Sequence, residues 1–179
     1  MNIRRPLSLG LVIGLLAMAF AALPALAGAA ELTNSEGVPV EPGATVSGTS
    51  TNAITETQFG PLVCEHVEVH GIVEVNSGGE VEIAMDEEGG DSATGCTFGG
   101  GPAVVEPTLN SINLSGSSGT ASFQFVVNGA LEHSISNVTW SGSATSIHVQ
   151  GGVEGAIAGE FSGDFALSDS RGRPLTLHE

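Results

Sequence analysis

Beyond residue 31 no stretch repeats its apolar residues at helical spacing for more than about two turns. Apolar and polar residues instead alternate in short runs broken by Gly, Ser, Asn or Pro, the pattern of strands and turns. The clearest run is Leu62 to Asn76. Val63, Glu65, Val67, Val69, Gly71, Val73 and Val75 share one face; Cys64, His66, Glu68, His70, Ile72, Glu74 and Asn76 share the other. The valines predict that the first face is buried. Asn76-Ser-Gly-Gly79 predicts a hairpin turn, after which Glu80 to Asp86 returns with Val81, Ile83 and Met85 alternating.

The same grammar continues along the chain. Thr120 to Val127 predicts a strand with Ala121, Phe123, Phe125 and Val127 inward. Asn128-Gly129 is the strongest dipeptide signal for a tight hairpin, and Leu131, Ile135, Val138 and Trp140 mark the return. Ile147 and Val149 share a face, as do Ile157, Phe161, Phe165 and Leu167. Leu175 and Leu177 predict a closing strand, and Val38 to Ser47 an opening one. Roughly nine to eleven short strands, about 10 to 14 residues apart, follow the grammar of a β-sandwich or barrel. The expected class is all-β, an antiparallel β-sandwich or jelly-roll-like fold. A parallel β-solenoid would show a fixed repeat period, and none is seen.

The first 27 residues read differently. Arg4 and Arg5 precede an uncharged apolar run from Leu7 to Leu23, Pro24 breaks it, and Ala25-Leu26-Ala27 offers a small-x-small cleavage pattern. That order is a secretory signal peptide. Cleavage is expected after Ala27, with Ala29 and Ala30 as alternatives, leaving a single domain over residues 28–179 that is secreted.

Charge narrows the partners. The sequence holds 20 Asp and Glu against four Arg and no Lys, and cleavage would remove Arg4 and Arg5, leaving Arg171 and Arg173 and a formal charge of −18. Such a surface repels nucleic acid and anionic membranes and attracts cations. High charge also keeps an exported protein soluble. With 41% hydrophobic and 13% charged residues, the chain has enough apolar matter for a core.

Cys64 and Cys96, an even pair in an oxidising compartment, predict one disulfide. Two groups carry metal-ligand chemistry. Asp86, Glu87, Glu88 and Asp91, with Gly89 and Gly90 between, supply hard oxygen ligands of the kind Ca²⁺ takes, or else a solvated hairpin tip. His66, Glu68 and His70 lie on one strand face, a set suited to Zn or Cu, or else the polar outer side of a half-buried sheet. Nucleophile elbow, zincin, P-loop and dinucleotide fingerprints are all missing from the sequence.

Leu32-Thr-Asn-Ser35, Ser50-Thr-Asn-Ala53 and Ile112-Asn-Leu-Ser115 give the chain a further character. It resembles the small exported β-rich proteins of high-GC Gram-positive bacteria. That resemblance implies export and a β domain, and no activity. The expected function is a non-catalytic extracellular binding or surface-associated module, its partner an extracellular polymer, a protein or a cation. The alternatives are a Ca²⁺-dependent binding domain and a secreted hydrolase with an unrecognised site.

Overall fold

The structure, a computed structural model, describes residues 29–179. The expected signal peptide, residues 1–27, lies outside those residues. Sixteen strands follow in chain order. They are β1 (Glu31–Thr33), β2 (Thr45–Ser50), β3 (Ile54–Thr57), β4 (Leu62–Val63), β5 (His66–Ser77), β6 (Glu80–Met85), β7 (Ser92–Thr94) and β8 (Thr97–Phe98). They continue with β9 (Gly101–Pro102), β10 (Val105–Ser115), β11 (Ser118–Val127), β12 (Ala130–Thr139), β13 (Ser143–Ala144), β14 (Ser146–Gly155), β15 (Gly159–Asp169) and β16 (Thr176–His178).

The all-β class is as expected, but the sandwich is replaced by a closed barrel. Strands β2, β5, β6, β10, β11, β12, β14 and β15 each pair antiparallel with the next, and β15 returns to pair with β2. Period-two alternation is the same in a sandwich and a barrel, because it reports one buried face and not what covers it. Closure leaves no terminal strand in that eight-stranded belt.

Tight turns set the registers. Val127 pairs with Ala130 across Asn128 and Gly129, both at positive φ (49° and 89°), as a two-residue hairpin of this hand requires. An eight-stranded barrel is just wide enough for its own side chains to fill. Here Val69, Val73, Val81, Leu109, Ile112, Phe123, Val149 and Phe165 fill it. Outward positions carry Glu68, Glu82, Asn113, Gln124, His133 and Gln150, the reverse of the apolar outer band of a membrane-spanning barrel.

The faces depart from the expected ones at three places. The run from Leu62 to Asn76 is not one strand. It breaks at Cys64 and Glu65, so Leu62 and Cys64 are buried above the break and Val67, Val69 and Val73 below it. A bulge between Val73 and Val75 then turns Asn76 inward. In β12 the polar Glu132, Ser134 and Ser136 face in with Val138, while Leu131 and Ile135 are exposed at 53% and 76%. The expected opening strand over Val38 to Ser47 forms only from Thr45, and Val38 sits exposed in a loop.

One end of the barrel is plugged. Strands β1, β16 and β13 form a small separate sheet there, and Leu32, Leu175 and Leu177 are fully buried beneath it. Asn76 docks this plug. Its Oδ1 accepts the Leu32 amide at 2.8 Å, and its Nδ2 donates to the carbonyls of Leu32 at 2.7 Å and Val40 at 2.9 Å. At the other end the belt continues upward on one side as β3, β4, β8 and β9. The Cys64–Cys96 disulfide staples the two neighbouring strand breaks there, with Cα atoms 4.0 Å apart.

Candidate ligand cavity

The interior is not completely filled at the disulfide end. A cavity opens there whose inner walls are Val67, Val69, Phe123, Phe125, Phe161 and Phe165. Its rim is built by Ala53, Leu62, Cys64, Val105 and Pro107. The cavity volume is about 50 Å³. That is several times the ~10–15 Å³ one water needs, and well short of a space for a bulky ring system. A volume of that size favours a slim chain over a bulky group.

Each wall follows from local sequence. Alternation in β11 delivers Phe123 and Phe125, and alternation in β15 delivers Phe161 and Phe165. Phe123, Phe161 and Phe165 form one cluster with ring centroids 6.1 to 6.2 Å apart, within the range in which aromatic pairs attract. A second internal space of about 20 Å³ lies deeper, and Val69, Phe123 and Phe165 line both.

Two buried hydroxyl residues line the apolar cavity, Thr55 on β3 and Ser134 on β12. Ser134, 2% exposed, shares a 2.8 Å hydrogen bond with Ser136. Few polar groups on apolar walls are the usual make-up of a small-molecule site. Above Ser134 on the same strand face, Glu132 is completely buried. Its carboxylate accepts the amides of Ala156 at 3.1 Å and Ile157 at 3.2 Å and so ties down the β14–β15 turn. The apolar residues of this strand fall on both parities, Leu131 and Ile135 on one and Val138 and Trp140 on the other, so the sequence pattern did not single out this file of polar residues.

The sequence-predicted metal ligands are placed elsewhere, outside the barrel. His66, Glu68 and His70 do share the outer face of β5. Glu68 contacts His70 Nε2 at 3.4 Å and His66 Nε2 at 3.9 Å. Asp86 Oδ1 accepts the Glu88 amide at 3.0 Å in a local turn. The Asp91 carboxylate accepts two backbone amides, those of His70 and Leu109, and its Oδ1 lies 3.3 Å from His70 Nδ1. Among the described residues no three His, Cys, Asp or Glu side chains converge as a metal-holding group.

Two further polar pairs belong to the frame. Ser143 Oγ and His178 Nδ1 are 2.9 Å apart, but His178 Nε2 faces Thr33 Oγ1 at 3.0 Å, with no carboxylate to orient the ring. Neither residue lines the cavity, so this serine and histidine hold the plug sheet together. His148 Nδ1 meets Asp164 Oδ1 at 2.7 Å, and Asn52 Nδ2 donates to Asp164 Oδ2 at 2.8 Å; these hydrogen bonds, His148 first, lower the Asp164 pKa.

No protein family, curated protein or solved structure matches the chain. The class is therefore defined by its own architecture: a closed, antiparallel, eight-stranded meander barrel, plugged at one end and open to an apolar cavity at the other.

Proposed function

We propose that the chain is an exported, non-catalytic binding module that takes the apolar part of a small molecule into the mouth of its barrel. The observation carrying this reading is the cavity itself. Its lining exposes almost only apolar atoms, at the one barrel end that is not plugged. Leaving such surface open to water is unfavourable by about 25 cal/mol per Å², and a ligand that covers it recovers that free energy. Around it lies a rigid frame: a closed belt, a disulfide at the rim and a carboxylate clamp under the β14–β15 turn. Preorganisation of that kind lowers the entropy lost on binding.

The test is a titration of the purified protein with octanol, a slim neutral amphiphile, followed by methyl NMR. The methyl groups of Val67, Val69 and Val105 shift and saturate, while those of Leu131 and Ile135, on the outer wall, stay put. Unmoved cavity methyls, or shifts confined to the outer wall, reject the reading. A Val105→Phe variant fills the rim and weakens octanol binding at least about tenfold, the scale of a blocked apolar contact.

A further inference from the structure

The charge around the mouth selects what kind of head group can sit there. This inference rests on the binding reading above and concerns its ligand. Among the described residues the two basic side chains of the Arg/Lys type are Arg171 and Arg173. Both lie in the turn after β15, at the plugged end, and Arg173 is already paired with Asp169 at 2.6 Å. The segments that build the open end hold none.

Those segments are acidic instead. Glu65 follows the disulfide cysteine Cys64, Glu106 stands beside Val105 at the rim, and Glu154 is the next-to-last residue of β14; all three are exposed. Glu56 and Glu160 are direct cross-strand partners on β3 and β15, both exposed, and neither has a cationic partner. Like charges directly opposite each other on a sheet are unfavourable. Their neighbours Thr55 and Phe161 are cavity walls, so this unrelieved pair stands on the outer side of the same wall. A low-dielectric cavity ringed by one sign of charge focuses its field into the mouth.

We propose that the ligand is a slender amphiphile with a positively charged head, an alkylammonium type, and that a carboxylate-headed chain of equal length is rejected. The hydrocarbon end occupies the space between Val69 and the Phe123–Phe161–Phe165 cluster. The head stays at the mouth, near the Ser134 side of the wall or above it, within the field of Glu56, Glu65, Glu106 and Glu160.

Octylamine, octanol and octanoate, titrated separately at pH 7 and low salt with the same methyl signals, decide the matter. Octylamine binds most tightly and exceeds octanoate at least about tenfold, and in 1 M NaCl, where the Debye length is ~3 Å, that ratio falls towards one. Glu56→Gln with Glu160→Gln lowers the octylamine-to-octanoate ratio at low salt, and an unchanged ratio in that folded variant overturns the role given to this pair. Octanoate binding as tightly as octylamine overturns the charge selection and leaves the binding module standing. If none of the three moves the cavity methyls, the binding reading falls and this inference with it.

Discussion

Asp91 and Leu109 are joined across a gap in the barrel wall: Asp91 Oδ2 accepts the Leu109 amide at 2.9 Å while its Oδ1 accepts the His70 amide at 2.6 Å. Strand β6 ends at Met85, and β7 starts at Ser92 to fill the space beside β5. Between them, β5 and β10 would each present an unpaired amide. One carboxylate satisfies both, and buried donors left without partners are costly.

Removing that carboxylate should therefore be expensive. Asp91→Ala is expected to lower the unfolding free energy by about 2 to 4 kcal/mol, from two charge-assisted hydrogen bonds. Asp91→Asn costs less, since an amide oxygen still accepts one of the two. Urea denaturation of both variants measures this. A Ca²⁺-dependent rise in Tm that vanishes in Asp91→Ala would show the loop acting as an ion ligand instead.

The inverted strand β12 gives a sharper contrast. Ile135, a large apolar residue, stands in solvent, whereas Phe125 is buried against the cavity. Ile135→Ser should change stability by no more than about 0.5 kcal/mol, the ordinary range for an exposed site. Phe125→Ala should cost about 3 to 5 kcal/mol. Equal losses in the two variants would mean that β12 presents its other face to the interior.

Acid acts at the plugged end. Hydrogen bonding from Arg173 holds the Asp169 carboxyl at about 2, below its ordinary 3.8, and the Arg171 and Arg173 amides add to it. A depressed folded-state pKa means that the ionised group favours the folded state. Its contribution is fully present above the unfolded value near 3.8 and is lost as pH falls through about 2. Carboxyl-carbon NMR should place the Asp169 midpoint at about 2, below the ordinary carboxyl value. In Arg173→Ala its midpoint rises towards the ordinary value.

What the sequence disclosed and what it hid have a common physical cause. Alternation in β11 and β15 named Phe123, Phe125 and Phe165 as core, and Asn128-Gly129 named its hairpin, because period and turn chemistry are local. Closure of the barrel was hidden, since the pairing of β15 with β2 joins Ala166 to Thr49, far apart in the chain. Asn76 looked like the start of a turn. The bulge before it reverses its direction, and its three hydrogen bonds go to segments more than 30 residues away. The cavity depends on how four phenylalanines from two strands pack together, which no single strand's pattern contains.

The disulfide was legible, and its position adds a consequence that its pairing alone did not. Cys64 and Cys96 sit at two adjacent strand breaks, 32 positions apart in sequence, and Cys64 is also a wall of the cavity. In the chain-entropy picture a closed loop of that length stabilises the fold by about 3 to 4 kcal/mol. Cys64→Ser with Cys96→Ser should lose about that much in urea denaturation. The loss should also be local. The upper tier formed by β3, β4, β8 and β9 has short pairings of two to four residues each, so without the staple it opens at lower cost than the eight-stranded belt. Amide exchange should then rise most at Leu62, Val63, Thr97 and Phe98 and least at Val73, Val81 and Val149. Uniform acceleration across both groups would mean that the bond stabilises the whole fold and that the rim has no separate mobility to restrain.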